Sequence, residues 1–177
     1  MSPISTLRPA TEADEAFLLA VYTSTRAEEM APTGWSDEQK AAFCAMQFQA
    51  QDIHYRQHYP TAQFFVIEAE KVPAGRLYVD HWEKEIRIMD ITLLPEFRGQ
   101  GIGTHFLRDL QKQAQTASKV LSIHVETFNP AKRLYERLGF QITEDKGVYQ
   151  FFTWQPEMHL RKKSPQTQIP LPRHPPA

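Results

Sequence analysis

The sequence predicts an α/β fold (α+β in some schemes), built on a mixed, mostly antiparallel seven-stranded sheet with about four helices. Three observations point there. Ile86 to Ala114 reads as a strand, a glycine-rich turn and a helix in unbroken succession. Val120–Glu126 is a second strand directly after that helix, so a helical crossover makes the two strands parallel neighbours. On either side, apolar runs divided by short turn signals read as antiparallel hairpins.

Ser2 to Arg8 forms a short first strand with Ile4 and Leu7 as its apolar contribution. Thr11-Glu12-Ala13-Asp14 starts a helix, a hydroxyl followed three residues later by a carboxylate, and Phe17, Leu18, Val21 and Tyr22 continue at helical spacing. The chain breaks at Ala31-Pro32-Thr33-Gly34-Trp35. Ser36 to Gln39 is a second capping box, and Phe43, Met46, Ala50 and Ile53 or His54 mark the buried face expected of a long helix ending near Tyr59-Pro60. Cys44, in the same helix, is expected to pack in the interior and not to act as a nucleophile. Strands follow at Phe64–Ile67 and Gly75–Val79, with the turn placed at Lys71 to Ala74, and a second turn at His81 to Glu85 leads into the strand at Ile86. Past Val120–Glu126, Asn129-Pro130 to Leu138-Gly139 carries a capping Asn, Pro at the first helical position and Gly just past the end. A last hairpin, Phe140–Asp145 and Val148–Trp154, turns at Lys146-Gly147.

Composition bounds the function. A chain of 177 residues favours one domain with a proper core, expected over residues 1–156. Residues 157–177 are proline-rich and nearly free of apolar side chains from Lys162 onward, so a disordered tail is expected there, with recognition by a proline-binding partner as the alternative use. Twenty basic against 21 acidic side chains leave a formal charge of 20 − 21 = −1, so no global field draws the chain to nucleic acid or to an anionic membrane. One cysteine, no signal-peptide apolar segment and no bilayer-length run point to a cytoplasmic, non-membrane protein, monomer or homodimer.

The glycine-rich turn carries the chemistry. In Arg98-Gly99-Gln100-Gly101-Ile102-Gly103-Thr104 the glycines allow a tight bend that leaves amide N–H groups uncovered. The first turn of the following helix adds unpaired N–H groups and a partial positive charge, and together these form an anion site suited to a phosphate or pyrophosphate. No Lys follows Gly103, which rules out a P-loop, and the position where a dinucleotide fingerprint needs its last Gly is Thr104. Upstream, the apolar period of two runs through Ile86 and Ile88, then shifts to Met89, Ile91 and Leu93. Such a one-residue slip reads as a β-bulge, which bends a strand and can prise it from its neighbour.

Arg98-x-x-Gly101-x-Gly103 after Leu93-Leu94-Pro95 resembles motif A of the GNAT superfamily of N-acetyltransferases, and Asn129 to Phe140 (NPAKRLYERLGF) resembles its motif B. The resemblance implies a GNAT-like sheet whose central parallel pair is splayed, and acetyl-CoA as acyl donor and co-substrate. It implies that the pyrophosphate lies on Arg98, Gly99, Gln100, Gly101, Ile102, Gly103 and Thr104. The pantetheine arm then lies along Ile91, Thr92 and Leu93, with Asn129 and Ala131 beside it. Tyr135 is implied as the acid that protonates the departing thiolate. For the base, relatives suggest the strand bearing His124 and Glu126; Asp90, and His81 or Glu83 in the preceding turn, are rivals, and a water relay leaves no single base. The first two helices and last two strands would read the acceptor, making Tyr22, Trp35, Tyr55, Trp82 and Tyr149 pocket residues. The function so implied is acetyl transfer to a primary amine of a small molecule, peptide or protein, without a metal. The alternative is a non-catalytic acyl-CoA-binding or sensing module.

Overall fold

The computed structural model describes residues 1–157; the proline-rich tail read from the sequence lies outside them. The elements are β1 (Ser5–Pro9), α1 (Glu15–Met30), α2 (Asp37–His58), β2 (Gln63–Ala69), β3 (Val72–His81), β4 (Glu85–Leu93), α3 (Ile102–Ala117), β5 (Val120–Glu126), α4 (Lys132–Arg137), β6 (Gln141–Asp145) and β7 (Tyr149–Trp154). The strands form one seven-stranded sheet in the order β1-β2-β3-β4-β5-β7-β6. Every pairing is antiparallel except β4 with β5, the pair joined by helix α3.

The principal core lies on the α3 side of the sheet, where Ile102, Phe106, Leu107, Leu110 and Ala114 meet Ile86, Ile88, Leu121, Ile123 and Val125. That i, i+4, i+5, i+8 spacing makes α3 strongly amphipathic, and the alternation of β5 leaves Ser122, His124 and Glu126 for the other face. On that other face α1 and α2 pack through Leu18, Tyr22, Met30, Cys44 and Phe48 over Val66. Cys44 is buried at 1 % exposure, as its apolar setting implies.

Four local readings are corrected. The β2–β3 turn is Glu70-Lys71, with φ of 48° and 65°, so β3 begins at Val72 and not at Gly75. Two consecutive left-handed residues make the tight hairpin turn whose twist matches the flanking strands. The buried face of α2 runs through Cys44 and Phe48, while Met46 and Ile53 are exposed at 57 % and 55 %. Apolar residues lie all round this helix, so contact with α1 decides which side is covered. Ile4 is exposed at 73 %, because β1 begins only at Ser5, past it, and lies at the edge of the sheet. Finally α4 begins at Lys132 and not at Pro130: Asn129 Oδ1 accepts from the Ala131 N–H at 2.9 Å, and the Asn129 carbonyl from Lys132 N–H, a turn that precedes the helix.

Candidate active site

The site is built on the separation of β4 from β5. Their parallel register stops at Ile88↔Ile123, although β4 runs on to Leu93 and β5 to Glu126. The cause lies across the sheet: Tyr78 pairs with Asp90 but Val79 with Ile88, so Met89 is the extra residue of a bulge, where the sequence phase slips. Beyond the bulge β4 stays with β3, and among the described residues its β5-facing backbone edge, Ile91 to Leu93, has no strand partner.

The glycine-rich turn closes one end of this slot. Gly99 and Gly101 sit at φ +72° and +83°, conformations that side chains rarely adopt, and Gly101 is the residue from which α3 starts. Among the described residues, the N–H groups of Gly99 to Thr104 have no protein acceptor; the first helical bond back into the turn is His105 N–H to the Gly101 carbonyl, 3.0 Å. Arg98 donates through Nε to the Leu93 carbonyl at 3.0 Å, which holds its guanidinium against the end of β4. Gln100 turns back to the Glu96 carbonyl through Nε2. A row of free amides with an arginine beside it and a helix N-terminus behind it is suited to an anion with more than one charged oxygen.

Tyr135 approaches from below the sheet. It is 4 % exposed, its ring packed on Phe140 (5.7 Å between centroids) and Phe152 (5.9 Å). Burial, with a contribution from the Asp90 charge, pushes its hydroxyl pKa well above the ordinary tyrosine value, so the group stays protonated at every physiological pH.

Above the sheet, β3, β4 and β5 present Arg76, Asp90, Thr92, His124 and Glu126 toward α1 and α2. Asp90 accepts from Arg76 Nε at 2.5 Å through Oδ2 and from Thr92 Oγ1 at 2.8 Å through Oδ1. Glu126 Oε1 accepts from Arg26 Nη1 of α1 at 3.3 Å. His124 has no such partner; it rests on the Phe151 ring at 4.6 Å. Burial, then the positive charges of Arg87 and Lys146, lower its pKa below the ordinary 6.5, so at neutral pH the imidazole is uncharged and able to accept a proton.

The other residues singled out from sequence divide. Tyr22 and Tyr55 stand around the Arg76–Asp90 pair: Arg76 Cζ is 5.9 Å from the Tyr22 ring, and Tyr55 meets Tyr78 edge-on at 6.1 Å. Tyr149 is opposite Glu126 on β7. Trp35 packs on Phe43, and Trp82 stacks on Tyr59 at the far end of β3. His81 contacts Gln113 of α3 at 3.2 Å, on the opposite face of the sheet from the other base candidates. Arg76 and Arg26 belong to no sequence motif; the one signal is an arginine in the run Gly75-Arg76-Leu77-Tyr78-Val79, a charged residue at a position whose neighbours are apolar or aromatic.

A mixed seven-stranded sheet whose one parallel pair opens past a bulge, with a glycine-rich turn after the bulged strand, matches the fold of GNAT acetyltransferases. The family model described as "Acetyltransferase (GNAT) family" matches residues 21–140, and the chain belongs to that family. No curated protein matches the sequence. Among solved structures, PaiA N-acetyltransferase from Thermoplasma acidophilum, in complex with coenzyme A, is similar at TM-score 0.65 and 16% identity, with 86% of this chain and 99% of that chain covered. The yncA protein of Salmonella typhimurium, with its cofactor acetyl-CoA, is similar at 0.53 and 22% identity, covering 88% and 96%. A GNAT family acetyltransferase from Elizabethkingia anophelis with acetyl-CoA bound gives 0.55 and 18%, covering 85% and 97%.

A pH profile tests the histidine. With a lowered pKa, His124 remains a base below pH 6.5, so the acid limb of kcat/KM is expected to have its midpoint below 6.5. His124→Gln is expected to remove that limb and to cost about 10²-fold at neutral pH, the low end of general-base contributions. An unchanged acid limb in the variant would assign proton removal to another group or to water. The same shift has a stability sign: the unfolded chain takes up this proton first as pH falls, so the wild type loses stability below pH 6.5 relative to His124→Gln.

Proposed function

We propose that this protein transfers the acetyl group of acetyl-CoA directly to a primary amine. The observation that carries the reading is the pairing of uncovered amides at Gly99 to Thr104 with an unpaired strand edge at Ile91 to Leu93; the buried, protonated Tyr135 is the acid we assign to the slot. Each suits a different part of the donor. Arg98 and the turn amides neutralise the pyrophosphate, while the β4 edge pairs with the amide-bearing arm as a short added strand. Asn129, whose Oδ1 already holds the Ala131 N–H, places its side chain and the start of α4 beside that arm.

The chemistry follows from the two faces of the slot. The acceptor amine must lose a proton, and the uncharged His124 is the group placed to take it, directly or through water. Main-chain N–H groups of the bulged strand stabilise the oxyanion as the amine nitrogen bonds to the thioester carbon. The C–S bond then breaks and Tyr135 donates its proton to the departing sulfur. Glu126, held by Arg26, and Asp90, held by Arg76 and Thr92, shape the acceptor side instead of removing the proton. The domain so used spans residues 1–156. A cytoplasmic setting suits the reduced, buried Cys44, and among the described residues no helix is long and apolar enough to cross a membrane.

Acetyl-CoA at 100 times its Kd is expected to stabilise the fold by about 2.7 kcal/mol, since it binds only the native state. For a domain of this size that is a rise in Tm of about 5–10 °C. A screen of primary amines that follows free thiol release then separates the enzyme from a non-catalytic sensor. A rise in Tm with no thiol release from any amine would favour the sensor; no rise would remove the donor assignment.

A further inference from the structure

Arg76 is a buried cation with one end unused. It is 2 % exposed, and its Nε and Nη2 are committed to Asp90 and to Gln51 Oε1 (3.0 Å) of α2. Its Nη1 is buried and, among the described residues, has no hydrogen-bond partner. The Tyr78 and Tyr22 rings, 4.7 and 5.9 Å from Cζ, attract the charge, and burial raises the Tyr78 hydroxyl pKa while the nearby Arg76 opposes that rise, yet no hydrogen bond from Nη1 to it forms. Buried guanidinium N–H groups are ordinarily all satisfied, because the donor loses water on burial and must be compensated. An orphan of this kind, on the face of the sheet that carries the other acceptor-side groups, is a donor waiting for an acceptor that is not part of the chain.

Its surroundings say what that acceptor belongs to. Arg76 is bonded to Asp90, the first residue past the bulge, and to Gln51 of α2, so it lies on the α1–α2 face of the sheet where β4 leaves β5. The Arg76–Asp90 pair is neutral overall but polar in a fixed direction: Asp90 keeps lone pairs and partial exposure (20 % of its side chain), whereas Arg76 offers only donors. The complementary molecule has a positive amine next to an oxygen acceptor. From this, and resting on the acetyl-transfer reading above, we infer that the acceptor is an amine with a carbonyl-type oxygen close to it, an amino acid or amino acid amide. Its oxygen receives the Arg76 Nη1 hydrogen bond while its nitrogen lies toward Asp90 and the slot. Gln51 and Tyr22 cover Arg76 in the free chain and are the side chains that must make room.

The test is calorimetry with matched acceptor pairs on the complex of the whole protein with coenzyme A. Each pair is an L-amino acid and the amine that lacks only its carboxylate, such as phenylalanine and phenethylamine, with the amino acid amide as a third arm. Binding of an oxygen-bearing member about 10- to 100-fold tighter than its stripped amine is expected, the range that one unmatched buried donor represents. The carboxylate and amide arms show which oxygen is preferred. R76K keeps a charge for Asp90 but loses the fork, so it is expected to abolish the discrimination while leaving acetyl-CoA affinity as it was. Equal binding within every pair, or no binding by any oxygen-bearing member, overturns the inference, and this wild-type comparison decides the matter if R76K does not fold. Discrimination without acetylated product would instead keep this inference and sink the transfer reading.

Discussion

Replacing Tyr135 by Phe is expected to lower kcat by about 10²- to 10⁴-fold, the range typical of general acid catalysis, with acetyl-CoA binding retained. The ring is what the fold uses: it packs on Phe140 and Phe152 in the α3-side core, and the described residues show no hydrogen bond to its hydroxyl. Removing the oxygen therefore leaves the packing as it was, and the Tm of the variant should stay close to that of the wild type. What disappears is a hydroxyl that burial keeps protonated, the group proposed to protonate the thiolate. Without it, the thiolate must leave unprotonated or take its proton from water. Steady-state turnover with a saturating amine, beside calorimetric titration of acetyl-CoA, separates the two effects. Wild-type turnover in Tyr135→Phe would show that leaving-group protonation comes from elsewhere and would reopen the sensor reading.

Much of the slot was legible because local chemistry creates it. The change of apolar phase between Ile88 and Met89 is a property of four or five side chains, and it reappears as the unpaired Met89 that turns β4 away from β5. Gly99 and Gly101 take left-handed conformations that few other residues would accept, so the turn could be recognised without knowing what surrounds it. The capping box at Ser36 and Gln39 is likewise local and closes as read, with bonds of 2.9 and 3.1 Å.

The acceptor side was not legible for the opposite reason. Arg76 means little in its own strand; its partners are Asp90 on the next strand and Gln51 some two dozen residues upstream, so only the fold assembles them. Arg26 and Glu126 meet across 100 residues of chain. The α2 face was misassigned on the same grounds, since Met46 and Ile53 are as apolar as Phe48 and only the position of α1 leaves them outside. At α4 two local signals competed: Pro130 suits a first helical residue, but the Asn129 side chain captures the Ala131 amide first and delays the helix to Lys132.

Gly101→Asp is expected to weaken acetyl-CoA binding by about 10²- to 10³-fold while the fold survives. Two costs must be kept apart. A side chain at φ +83° is strained by about 1–2 kcal/mol, and its Cβ would come within 2.7 Å of Ser2 Oγ, which lies near the chain terminus and can move aside. That strain is a stability cost, worth a fall in Tm of about 2–8 °C in a domain of this size. The second cost falls on the ligand alone: a carboxylate set among the free amides of Gly99 to Thr104 takes the place of the pyrophosphate and opposes its charge. Like charges brought together in this way cost several kcal/mol, and each 1.4 kcal/mol is about tenfold in affinity. Gly147→Asp is the control, because Gly147 has φ +80° in the β6–β7 turn with nothing within 4 Å. It carries the same backbone strain at a distance from the slot, so it should lower Tm comparably and leave acetyl-CoA affinity unchanged. Equal affinities for Gly101→Asp and wild type, with both folded, would mean that the glycine-rich turn does not hold the pyrophosphate.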